Sequence, residues 1–138
     1  MRRALTIASI CFSVFLSAQS HVIAMKFSGA STYPTRVAYE VQNDRGEVLK
    51  QDFIDVKSPQ TIYEVALSVS SRFAVLIYED ANANSQMDRG WFTQPLEKYA
   101  FSNDAWTTLS KPDLEEMLVR KTGNKTSIHF TLKSVTDF

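Results

Sequence analysis

The chain has 138 residues, with 15 Lys+Arg against 15 Asp+Glu and a single cysteine. This is one domain's worth of sequence. The balanced charge offers no basic footprint for nucleic acid, and one cysteine cannot build an internal disulfide framework.

Arg2 and Arg3 give a short positive start, and 4–18 follows without a charge, carrying Leu5, Ile7, Ile10, Phe12, Val14, Phe15 and Leu16. That run suits the apolar region of a signal peptide and falls short of the roughly 20 residues that span a bilayer. A buried N-terminal helix is the competing reading. Ala18-Gln19-Ser20 places small residues at the −3 and −1 positions, so cleavage before His21 is the first choice, with cleavage after Ala18 or Ala24 as alternatives. Residues 1–20 are therefore expected to be a signal peptide, and 21–138 an exported domain, periplasmic or secreted. Losing Arg2 and Arg3 from the 15 Lys+Arg, against 15 Asp+Glu, leaves a formal charge of −2, and Cys11 leaves too. Ile10 ahead of Cys11 argues against a lipoprotein cysteine, and no run in 21–138 is apolar enough to span a membrane.

Period-two alternation recurs along the remainder of the chain, and 22–27 counts as a further strand before it. Val37, Tyr39 and Val41 alternate with Ala38, Glu40 and Gln42 before an Asn43-Asp44-Arg45-Gly46 turn. Residues 47–56 have strand-like composition, and Tyr63, Val65, Leu67 and Val69 alternate with Ile62, Glu64, Ala66 and Ser68. Residues 73–78 are continuously apolar, as in a central strand covered on both faces. Lys111-Pro112-Asp113-Leu114-Glu115-Glu116 predicts a helical turn, with proline near its start and acids in the first turn. A strand over 117–120 and a Lys121-Thr122-Gly123-Asn124 hairpin turn lead to a last strand, where Ile128, Phe130 and Leu132 alternate with His129, Thr131 and Lys133. The pattern predicts an all-β fold, a single antiparallel β-sandwich of about seven strands. One long loop, about 80–111, interrupts it and leads into the short helical turn. Excursions of that length carry function or a structural device of their own.

The excursion opens Asp80-Ala81-Asn82-Ala83-Asn84-Ser85-Gln86-Met87-Asp88. Calcium takes six to eight oxygen ligands, and a tight loop with this spacing can aim Asp80, Asn82, Asn84, the Gln86 carbonyl and Asp88 at one point. Ser85 stands where such loops turn on glycine, and Trp91 where a glutamate closes the shell. Two carboxylates and two neutral amides predict a weak site, with a dissociation constant of about 10⁻⁴–10⁻³ M. An alternative needs no metal, because Asx side chains cap nearby backbone amides and hold such loops unaided. Both readings stay open from the sequence.

The same residues, continued by Trp91-Phe92-Thr93-Gln94-Pro95-Leu96-Glu97-Lys98-Tyr99-Ala100-Phe101-Ser102-Asn103, resemble the signature of a bacterial family, domain of unknown function 2141. Its pattern is Asp-x-Asn-x-Asn-Gly-x-x-Asp, an aromatic stretch, Gly-x-Pro-x-Glu, Gly-Phe-Ser-Asn and a proline-led acidic segment, matched here by 111–116. Ser85, Thr93 and Ala100 replace family glycines, each removing backbone freedom where a positive φ is needed. The resemblance implies an exported β-sandwich of the transthyretin-like or prealbumin-like kind. It brings no established activity.

Other chemistry is sparse. His129 alternates outward on its strand, and His21 lies at the expected new N-terminus. No Gly-x-Ser-x-Gly elbow or His-Glu-x-x-His helix occurs. Glu79 and Asp80 are adjacent, so on a strand they point to opposite faces. Trp91, Phe92, Tyr99, Phe101 and Trp106 crowd the excursion. They form either its own small core, over the open end of the sandwich, or a platform for a sugar or peptide, with Trp91 and Trp106 as the contacts. The leading expectation is an exported, non-catalytic binding or structural module with an unknown envelope partner and a weak calcium loop. The second is carbohydrate or peptide binding by the aromatic excursion 91–106. The third is a hydrolase using Glu79, Asp80, Asp88 or Glu97, which needs carboxylates roughly 5–9 Å apart in a concave pocket.

Overall fold

A computed structural model of the chain describes residues 20–80, 97–107 and 111–134. Strands β1 (His21–Ser28), β2 (Thr35–Asn43), β3 (Val48–Val56), β4 (Ile62–Leu67) and β5 (Arg72–Glu79) come first. Then come β6 (Tyr99–Phe101), a tight turn at Ser102–Asp104, α1 (Leu114–Met117), β7 (Val119–Arg120) and β8 (Lys125–Thr131). One sheet runs β4-β1-β8; the other runs β3-β2-β5-β6, with β7 also paired to β5. The fold is the all-β sandwich that the alternation predicts.

Period two fills two cores at once. Val37, Tyr39 and Val41 of β2 and Phe73, Val75 and Ile77 of β5 face Ile23, Met25 and Phe27 of β1 and Phe130 of β8. The intervening residues Ala38, Ala74, Leu76 and Tyr78 point to the opposite face, where Tyr99, Phe101, Met117 and Leu118 cover them. Strand β5 is thus buried on both sides, which is why 73–78 carries no alternation. Full burial of one large apolar side chain stabilises by roughly 1.5–3 kcal/mol, so the outer layer is a second core.

Four particulars differ from the sequence reading. Strand β6 arises inside the long excursion and raises the number of strands from about seven to the eight described. Strand β1 runs antiparallel to β4 but parallel to β8. The 121–124 segment is no hairpin: β7 pairs with β5 and β8 with β1, so this segment carries the chain from one sheet to the other. The Val22 amide donates to the Asn124 carbonyl at 3.0 Å and pins that crossing. Finally, Tyr99, Phe101 and Trp106 pack on the outer face of the larger sheet and not over the sandwich's open end.

The helical turn forms at 114–117, behind Pro112. The Asp113 amide donates to the Glu116 carboxylate at 3.2 Å, one half of a capping box. Four residues cannot hold a helix by propensity alone; the fully buried Met117 fastens this one to the outer core. At the end of β1, Gly29 is obligatory: its φ is +79°, and an added Cβ would sit 2.6 Å from the Leu132 carbonyl oxygen.

Candidate functional site

The Phe101-Ser102-Asn103 segment of the motif is structural. One side of β5 pairs with β7 at Arg72 and Phe73 and with β6 from Leu76 to Tyr78, which leaves a gap at Val75. Ser102 fills it. Its buried hydroxyl accepts from the Val75 amide at 2.9 Å and donates to the Met117 carbonyl at 2.5 Å. Asn103 adds a bond from Nδ2 to the Glu116 carbonyl at 3.0 Å. Left-handed backbone at Asn103 (φ 61°) and Asp104 (φ 50°) makes the turn. Ala100, by contrast, lies in β6, where extended backbone suits alanine; the freedom expected from its family glycine is not needed there. Sequence reasoning missed this staple because Ser102 joins partners 27 and 15 residues away.

The base of the long loop is held by backbone bonds. The Glu79 amide donates to the Lys98 carbonyl at 2.7 Å, and the Asp80 amide to the Arg36 carbonyl at 2.8 Å. Both side chains are buried. Glu79, on the inner side, accepts from the Ser31 amide and hydroxyl (3.1 Å for the hydroxyl) and from the Thr35 hydroxyl at 2.9 Å. It therefore clamps the 29–35 segment to β5. Glu97 stands at the returning stem, where burial, then Asp80, then Glu79 push its carboxyl above the usual range. Asp80 lies just past the end of β5, and it and Glu79 both bear on Glu97.

Of the sequence-derived calcium ligands, Asp80 is placed at this base. Asn82, Asn84, Gln86 and Asp88 lie outside the described residues, as do Trp91, Phe92 and the expected signal-peptide residues up to Gln19. Among the described residues, no group of three or more His, Cys, Asp or Glu side chains is arranged to hold a metal ion.

A separate feature lies on the outer face. Trp106 stacks on Tyr99 with ring centroids 4.7 Å apart and planes 6° from parallel, and Tyr99 meets Phe101 edge-on. Half-buried Trp106 lines an open hollow of about 150 Å³ with Ala100, Phe101, Asp104, Ala105, Thr131 and Lys133. The Lys133 ammonium lies 5.8 Å from the indole centroid. Among the described residues, Asp104 is the single carboxylate on this wall; Glu79, Asp80 and Glu97 do not line it.

Of the two histidines, only His129 has its position legible in the strand alternation. His129 is exposed, with Nε2 3.0 Å from the Ser28 hydroxyl. His21 opens β1 fully buried, with Nε2 2.7 Å from the Thr126 hydroxyl. That hydroxyl also accepts from the Thr122 amide at 3.2 Å. Burial first, and Lys121's charge second, push His21 below its ordinary pKa, against an opposing hydrogen bond to the Gly123 backbone.

No described helix is long and apolar enough to cross a membrane. Neither a curated protein nor a solved structure matches the chain. A family model does match, over residues 12–129, and it bears the description "uncharacterized protein conserved in bacteria". The chain belongs to that bacterial family, domain of unknown function 2141.

Proposed function

We propose that this protein is an exported, non-catalytic binding or structural module whose 80–88 loop binds calcium weakly. The supporting observation is the base of the loop. Asp80, the first candidate ligand, is buried, and its amide donates to the Arg36 carbonyl, so the backbone at that ligand position is ordered in advance. Burial first, and the Asp80 and Glu79 charges after it, raise the proton affinity of Glu97, and a cation at this base would offset the charge part. The charged start at Arg2-Arg3 and the uncharged run after it support export. Export would take a weak loop to a compartment richer in calcium than cytosol.

Thermal unfolding tests the calcium reading. With a dissociation constant of about 10⁻⁴–10⁻³ M, roughly 10 mM calcium stabilises the folded state by about 1.4–2.7 kcal/mol. The melting temperature should rise in calcium and fall back in chelator. An identical melting curve in both would refute the reading.

The hollow beside Trp106 favours a second reading, in which it takes a carbohydrate or peptide. An indole face bordered by Asp104, Thr131 and Lys133 combines an apolar platform with polar groups. Titration with soluble oligosaccharides and peptides, comparing Trp106→Ala with the parent, tests it. Equal binding by both proteins, or none by the parent, would remove this reading.

A further inference from the structure

Among the described residues, the nine-residue strand β3 ends the larger sheet, with β2 on one side and an open edge on the other. An uncovered edge of that length is a template for another strand. Val48 and Leu49, at its start, are 51% and 40% exposed. The Phe53 amide donates to the Asp52 carboxylate at 2.8 Å, so it points away from β2 and towards the open edge. By strand alternation, the backbone groups of Gln51 point the same way, whereas Leu49 lies at the bulge that breaks the alternation.

We propose that β3 pairs with β3 of a second copy of this chain, antiparallel, about a two-fold axis through Gln51. The register follows from charge. An axis at Gln51 sets Lys50 of each copy opposite Asp52 of the other, on one face of the joined sheet. Shifting the axis by one residue either way sets Lys50 against Lys50 or Asp52 against Asp52. Like charges directly opposite destabilise a strand pair, whereas opposite charges support it.

The other contacts fit the same register. Gln51 donates one amide hydrogen to the buried Glu40 carboxylate at 2.6 Å. Its remaining amide hydrogen and its oxygen can form a reciprocal pair with the second Gln51 across the axis. Exposed Leu49 comes opposite half-buried Phe53, whose other ring face is occupied by the Arg36 guanidinium at 3.9 Å. Asp52, which caps the Phe53 amide in the single chain, turns to Lys50 of the second copy. The freed amide then faces the second copy across the joined edge. The extra residue at Leu49, where Val41 pairs with Lys50 but Gln42 with Val48, bends the strand and ends the paired stretch.

The contact joins two five-stranded sheets into one continuous sheet, and its isologous symmetry closes at two copies. Sedimentation equilibrium over a wide concentration series tests it, with circular dichroism confirming that each variant is folded. The parent should show a concentration-dependent monomer–dimer equilibrium. Lys50→Asp turns two symmetric attractions into repulsions and should weaken dimerisation roughly tenfold or more. The charge swap Lys50→Asp with Asp52→Lys should restore it. A parent that stays monomeric throughout, a K50D variant that dimerises as tightly as the parent, or a folded charge swap that stays as weak as K50D would each overturn the proposal.

Discussion

Replacing Ser102 by alanine removes one oxygen and strands two backbone groups. The Val75 amide loses its acceptor and the Met117 carbonyl its donor, on either side of the gap between β6 and β7. Ser102 is fully buried, so water cannot replace the hydroxyl without local opening. Leaving a buried polar group unsatisfied costs about 1–3 kcal/mol; with two groups sharing one relaxed site, about 2–4 kcal/mol is expected for S102A. Unfolding entropy of about 2.1 cal/mol/K per residue, over roughly 120 residues, converts this to a melting-temperature fall of about 8–16 °C. Urea unfolding is the cleaner assay, because the midpoint should drop while the slope m stays constant. Ser102→Cys keeps a weak donor and should fall between the two. A loss for S102A within about 0.5 kcal/mol would overturn the staple, since it would mean that β5 closes the gap unaided.

Three further predictions concern other groups. His21 titrates lower in the folded chain than in the unfolded one, so its contribution is fully present above about pH 6.5, the unfolded value, and is lost as pH falls towards the depressed folded value. Denaturant unfolding between pH 5 and 7.5 should show this slope in the parent and a flatter one in His21→Gln; equal slopes would contradict the assignment. Glu79→Ala abandons the Ser31 and Thr35 donors and should cost about 2–3 kcal/mol, with Glu79→Gln costing less; a neutral E79A in urea unfolding would show that Glu79 is no clamp. N-terminal sequencing of exported protein should find residue 19 or 21 first. A start at residue 25 would cut away Ile23 and Ala24, which are buried where β1 joins β4 and β8, and would contradict this role for β1.

Local pattern carried the sandwich and lost its wiring. Residues 73–78 were legible as a doubly buried strand because both faces of β5 are covered, which forces an unbroken apolar run. Tyr99–Phe101 was not legible as a strand, since three residues beside a polar excursion show no period. Lys121-Thr122-Gly123-Asn124 has hairpin chemistry, yet nothing local records that its two flanking strands pair in different sheets. At the candidate site, Asp80 and Glu97 were legible as acids near a loop. Their meeting at one base depends on the pairing of β5 with β6, and the Ser102 staple depends on a gap that exists only once β6 and β7 are both in place.

The proposed function stands or falls on the calcium site, and calorimetric titration of calcium into the purified protein probes it without intermediaries. A binding isotherm with a dissociation constant of about 10⁻⁴–10⁻³ M is expected. Asp80→Asn, which keeps the shape of the buried side chain but removes its charge, should lose most of the heat. No heat in the parent up to several times that concentration, or an unchanged isotherm in D80N, would contradict the calcium site.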